Sequence, residues 1–205
     1  MNKPVSARER ILEIAEAAIL EKGFTATSIE EIIAAAGITK SGFFYHFPDK
    51  SALAKALLTR YFAQEEGIMD GIFGRGRELA DDPLQAFLVG LKLFAEAMYD
   101  LPNAHPGCLI ATYCYQERMF DREIREMMRE GVLVWRERFL ALIDEIEAVH
   151  RPHDQVNREA LADMINAIVE GGIVMSKALR DPKALGDQVM LFRSYVKLLY
   201  APVAA

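Results

Sequence analysis

The sequence predicts an all-α fold of about nine helices, a small N-terminal three-helix domain with a helix-turn-helix followed by a larger helical domain. Three observations carry this. Apolar residues recur at helical spacing through nearly every segment, and strand-like alternation is scarce. The segment ends carry helix start and stop residues, Ser, Thr or Asp before the apolar stripes and Gly or Pro after them. Hydrophobic residues make up 52% of the 205, enough to fill a core and to exclude a disordered chain.

The first helix starts at SARE, where Ser6 can cap and Glu9 completes a capping box. Ile11, Ile14, Ala15, Ala18 and Ile19 form its apolar stripe, and Gly23 ends it. The second starts at Thr27 or Ser28, with Glu30 and Glu31 in capping-box positions, and stops at Gly37. The third is short, Lys40 to Phe47, capped by Thr39 and broken by Pro48-Asp49. The fourth is expected from Lys50 to Phe73. GIFGRGRELADDP then reads as a glycine-rich, charged hinge. The fifth covers 83–100 and ends at Leu101-Pro102. The sixth opens at His105-Pro106-Gly107 and carries CLIATYCYQERM. The seventh runs from Asp121 to Val149, HRPHD is a turn, the eighth spans 155–180, and Asp181-Pro182 starts a ninth that ends near Tyr200. The expected domains are 1–48 and 49–205.

Composition excludes several classes. No apolar run approaches the 18 or more residues of a membrane span, and MNKPVSARER lacks the apolar core of a signal peptide, so a cytoplasmic protein with no membrane partner is expected. Cys108 and Cys114 are six apart, about 240° around a helix, so they cannot bridge within one helix and are expected as small buried hydrophobes. No nucleotide loop, Ser/His/Asp signature or metal motif is present; His150 and His153 flank Arg-Pro in a turn. No enzyme, metal or cofactor is expected. The net charge of −6 is uneven: residues 1–60 sum to +1 and the rest to −7. An acidic total does not exclude nucleic acid when one face is basic.

The stretch ITKSGFFYHFPDK, residues 38–50, is the most informative. Ala36-Gly37-Ile38-Thr39 joins two short helices as a helix-turn-helix does, and in that motif the second helix enters the DNA major groove. Phe43 and Phe47 share a face and are expected to pack on Ile29, Ile32 and Ile33. Lys40, Ser41 and Gly42 sit at the helix start. A residue without a side chain, Gly42, lets the backbone approach a base or sugar. Tyr45 and His46 can donate to phosphate oxygens, and Lys50 adds a cation.

Residues 8–55, ARERILEIAEAAILEKGFTATSIEEIIAAAGITKSGFFYHFPDKSALAKALL, resemble the DNA-binding domain of the TetR family of transcriptional regulators. The pieces are GF-x-x-TS, I-x-x-A-G-I, the aromatic run ending Y-H-F, and P-D-K-x-x-L. The resemblance implies that Thr27 and Ser28 open the second helix near phosphates. Lys40, Ser41 and Gly42 would face the bases, Tyr45 and His46 the backbone, Lys50 would close the site, and Thr39 belongs to the same DNA-binding set. Two departures stand out. Many relatives carry tyrosine at the position of Phe44, and a Phe offers an apolar contact to a thymine methyl in place of a phosphate bond. Many also carry Gly then Thr or Ser where this chain has Ser41-Gly42.

One short recognition helix reads few bases, so helix-turn-helix proteins pair over two half-sites. The resemblance implies a homodimer built from the last two helices. Their apolar stripes, Leu161, Ile165, Ile168, Val169, Gly172 and Ile173 with Val189, Phe192, Val196 and Leu199, are the expected interface. Helices four to seven would enclose a small organic effector. Phe62, Met69, Phe87, Leu91, Phe94, Met98, Tyr113, Met128, Trp135 and Phe139 are its candidate apolar lining, and Thr112, Gln116, Asn166 and Glu170 its polar points. The expected function is a ligand-responsive regulator, a repressor on a palindromic double-stranded operator. The alternatives are a regulator sensing thiol chemistry through Cys108 or Cys114, and a helical small-molecule binder without DNA function.

Overall fold

The computed structural model describes residues 6–200. Among them lie nine α-helices: α1 (Ala7–Lys22), α2 (Ile29–Ala36), α3 (Lys40–His46), α4 (Lys50–Leu79), α5 (Pro83–Tyr99), α6 (Leu109–Cys114), α7 (Arg122–Glu147), α8 (Arg158–Leu179) and α9 (Ala184–Tyr200). A 3₁₀ turn at Glu117–Met119 separates α6 from α7. No strand occurs among the described residues.

The helices form two compact units. One runs to Gln64 and also takes in Pro106–Gly131; the other holds Glu65–His105 and the residues from Val132 onward. The first unit therefore contains the three N-terminal helices, the start of α4, all of α6 and the start of α7.

Local chemistry sets the first unit. Ser6 caps α1 by accepting from the Glu9 N–H at 3.1 Å, and Ser28 caps α2 by accepting from the Glu31 N–H at 3.1 Å. Gly37 ends α2 at φ +61, a left-handed conformation that glycine adopts without the Cβ penalty. Thr39 caps α3 through the Gly42 N–H at 3.1 Å. Ile11, Ile19, Ile32, Phe43, Phe47 and Leu57 bury together. Arg60 of α4 forks to Glu9 and, at 2.5 Å, to Glu16, which ties α4 to α1. Burial alone would lower the Arg60 pKa, but the two carboxylates override it and raise it.

In the second unit α9 packs on both α5 and α8. Asp82 caps α5 by accepting from the Gln85 N–H at 2.9 Å, with Pro83 at the first helical position. Asn157 caps α8. Phe73, Phe87 and Phe139 form an aromatic cluster with centroids 5.5–6.2 Å apart.

Two expectations are corrected. Helix α4 does not stop at Phe73 before a hinge; it continues through the glycines to Leu79. Packing explains part of that glycine content, because a Cβ on Gly76 would lie 2.5 Å from the Ala86 carbonyl oxygen. The cysteines are not both buried: Cys108 is half-buried, its Sγ accepting from the Ala111 N–H, and Cys114 is exposed.

Candidate nucleic-acid interface

Helix α3 presents two different faces. Phe43 and Phe47 are 0% and 2% exposed, their rings 5.8 Å apart. Lys40 and Ser41 are exposed, Tyr45 is 85% exposed, Phe44 39%, and His46 is half-buried with its ring 5.0 Å from Tyr45. No ion pair engages Lys40 among the described residues. A basic, hydroxyl-bearing and aromatic edge therefore stands clear of the core at one end of a helix short enough to lie in a groove.

Gly42 holds the third position of α3, where α1 and α2 carry Glu9 and Glu31 under the same kind of cap. A Cβ there would sit 3.2 Å from Thr39 Oγ1, the oxygen that caps the helix and also lies 3.1 Å from Ser41 Oγ. The missing side chain opens the surface there.

The flanking residues are less uniform. Ser28 is exposed at the start of α2. Thr27 is fully buried, its hydroxyl donating to the Gly23 carbonyl at 3.0 Å. Lys50 is turned toward the protein: its Nζ donates to the Phe24 carbonyl at 2.6 Å and lies 4.3 Å from the Phe24 ring. Burial holds its pKa below the ordinary lysine value. An ammonium has three donors, so this bond leaves others available to a phosphate.

Two contacting residues escaped the sequence reading. Gln116, assigned there to a ligand, accepts at Oε1 from the Thr25 N–H at 3.1 Å and from the Thr25 hydroxyl at 3.2 Å. Phe24 packs against Tyr113 and Phe120 at 5.5 and 4.6 Å. The partners are about ninety residues apart, beyond any periodicity signal.

The assigned effector residues divide between the units. Phe62, Thr112, Tyr113, Gln116 and Met128 belong to the first; Met69, Phe87, Leu91, Phe94, Met98, Trp135, Phe139, Asn166 and Glu170 belong to the second. Thr112 donates to the Cys108 carbonyl at 2.9 Å. The Tyr113 hydroxyl is buried without a hydrogen-bond partner among the described residues, and burial raises its pKa.

The stripe assigned to the dimer interface faces inward. Leu161, Ile165, Ile173, Val189, Phe192, Val196 and Leu199 are at most 5% exposed, Gly172 is buried, and Ile168 and Val169 are half-buried. A Cβ on Gly172 would meet the Leu185 Cα at 3.0 Å, so that glycine serves the α8–α9 crossing inside the chain. The opposite faces expose Val174 (57%), Leu179 (61%), Leu191 (62%) and Leu198 (76%), with Gly171 open beside them.

Comparison with known proteins agrees with the helix-turn-helix geometry. Residues 11–67 match the family model described as bacterial regulatory proteins, tetR family. The chain is similar to the uncharacterized HTH-type transcriptional regulator YxaF of Bacillus subtilis, 23% identical over 180 residues that span 87% of this chain and 89% of that one. It is 33% identical over 76 residues to the HTH-type transcriptional repressor KstR2 of Mycobacterium tuberculosis, covering 37% of this chain and 34% of that one. In fold it is similar to a TetR-family transcriptional regulator from Agrobacterium tumefaciens, with a TM-score of 0.79 at 21% identity, over 97% of this chain and all of that one. The short capped helix, the matched N-terminal model and the shared all-helical fold agree: residues 11–67 form a tetR-family N-terminal domain.

Proposed function

We propose that the chain is a repressor that binds a palindromic operator as a homodimer and leaves it when a small organic effector binds. The observation that carries the DNA reading is the exposed edge of α3, with Lys40, Ser41 and Tyr45 outward over a buried Phe43 and Phe47. Lys40 and Ser41 can meet base edges, and Tyr45 and His46 can donate to phosphates. Ser28 and Lys50 flank them, and Thr27 supports the turn from within.

The homodimer reading rests on the exposed apolar face of α8 and α9. An isologous interface repeats each residue twice, so a few exposed leucines suffice to form its centre. Gly171 fits close approach by a partner helix, since a mid-helix glycine costs about 1 kcal/mol relative to alanine and no described residue lies within 4 Å of where its Cβ would be.

The effector reading rests on a buried, partnerless Tyr113 hydroxyl. Leaving such a group unpaired costs about 1–3 kcal/mol, and a ligand oxygen or nitrogen would remove that cost. The aromatic and methionine content of the assigned lining favours a mostly apolar ligand. Effector and operator then compete for two forms of the dimer, and each weakens the other by the same factor; about 3 kcal/mol of coupling changes affinity more than 100-fold.

Selection of bound fragments from random duplex DNA, followed by salt titration of the selected sequence, tests the function. A palindrome bound at nanomolar affinity, with log K falling steeply against log salt, is expected. Failure to select any sequence, before and after refolding to strip bound ligand, would refute it.

A further inference from the structure

The α1–α2 turn is held by a residue from far along the chain. Gln116 follows α6, and its side-chain carbonyl takes both the N–H and the hydroxyl of Thr25. Gly23 makes room for the same amide: a Cβ there would lie 2.6 Å from Gln116 Nε2, and Gly23 sits at φ +90. Residues on either side of Gln116 continue the grip. Tyr113 and Phe120 stack at 4.5 Å, and both contact Phe24. Beyond them Asp121 accepts from the Ser51 hydroxyl at 3.1 Å and pairs with Lys55 at 3.4 Å.

The two places gripped are the two that flank the α3 edge. One is the turn that leads into Ser28 and α2. The other is the start of α4, where Lys50 reaches back to the Phe24 carbonyl. The turn thus sets where both Ser28 and Lys50 stand, and Gln116 closes it from outside.

We infer that Gln116 is a positioning residue for DNA binding: its amide fixes the α1–α2 turn, and through that turn the exposed Ser28 and the spare donors of Lys50. This rests on the DNA-reading function proposed above. The bonds to Thr25 are exposed, so water replaces them at little cost in stability when Gln116 is removed. Precision in the turn is what is lost.

The test uses the full-length protein and the duplex it selects from random DNA. Affinity is measured by fluorescence anisotropy at three salt concentrations, with melting temperatures alongside. Gln116→Ala and Gln116→Met, which lack the acceptor, are expected to bind about tenfold more weakly, about 1.4 kcal/mol. The salt slope is expected to fall by up to about one as Lys50 loses its phosphate contact. Gln116→Glu keeps the acceptor and is expected to recover most of the affinity, although its added negative charge pushes the other way. Wild-type affinity in Gln116→Ala overturns the inference. Should Gln116→Ala melt far below wild type, Thr25→Val reads the same bond from the other side. Removing only the hydroxyl, it is expected to weaken binding about threefold, and unchanged binding overturns the inference. A wild-type protein that selects no duplex overturns the DNA-reading function itself, and this inference with it.

Discussion

Alanine at Gly67, Gly71 and Gly74 is expected to stabilise the protein. These three lie inside α4, and a Cβ on any of them meets nothing within 4 Å. Each glycine costs a helix interior about 0.8–1.0 kcal/mol relative to alanine. With no shared side-chain partners the gains add, giving about 2.5 kcal/mol for the triple variant. For a chain of this length each kcal/mol moves the melting temperature by about 2–4 °C, so the triple should melt roughly 5–10 °C higher. Thermal melts followed by far-ultraviolet circular dichroism measure it. Gly76→Ala is the control within the same stretch. Its Cβ would lie 2.5 Å from a backbone oxygen of Ala86, which cannot step aside as a side-chain tip can, and a loss of about 1–3 kcal/mol is expected. A triple variant that melts at or below wild type would refute the reasoning, because it would mean that this stretch is not helical in solution.

Lys40→Ala should weaken binding to the selected duplex and reduce the salt slope by about one if the ammonium meets a phosphate; an unchanged slope with relaxed sequence preference would place it on a base. Leu198→Glu should weaken self-association by a hundredfold or more in sedimentation velocity. Burying a leucine is worth about 1.5–3 kcal/mol and the symmetric interface counts it twice, so wild-type association would remove the α8–α9 face from the dimer. Asp82 caps α5 and lies 2.6 Å from His150 Nε2. Burial raises its pKa, but bonds from the Gln85 N–H and His150 override this and leave it below the ordinary aspartate value. Its contribution is therefore present above about pH 3.8 and lost as pH falls through the lower folded value. Asp82→Ala should cost about 1 kcal/mol at neutral pH. Asp82→Asn keeps a capping oxygen and should lose less between pH 4 and 2 than wild type in urea melts; an identical acid loss refutes the assignment.

Helix starts were readable in the sequence because their causes are local. Ser6, Ser28 and Thr39 each accept from a backbone N–H three residues on, a bond that needs no tertiary structure. The family resemblance was readable for a related reason: the α2–α3 turn and its aromatic anchor are contiguous. The end of α4 was misread because local rules treat glycine as a breaker, whereas Gly76 lets the backbone of α5 come close and Phe73 packs on Gly90. Those contacts are made by a helix that begins four residues after α4 ends, and no propensity scale contains them.

Periodicity assigned to the dimer interface an apolar stripe on α8 and α9 that faces the interior of the chain. A helix packed on one side and pairing on the other carries two apolar faces, and the more regular one belongs to the core. Val189, Phe192, Val196 and Leu199 keep strict helical spacing because α5 and α8 close around them. Leu191, Tyr195 and Leu198 keep the same spacing one residue out of phase and stand in solvent. Burial, which only the fold supplies, separates the two. The same holds at the DNA-facing end. Lys50 looked like a plain surface cation, and Gln116 like a polar point in a pocket. Folding brings the lysine to the Phe24 carbonyl and the glutamine to Thr25, two residues of one turn. Neither role has a sequence signature, since each depends on a backbone group with no side-chain identity to read. A positioning role of this kind becomes visible only when the question changes from which residues can touch DNA to which residues hold those that do.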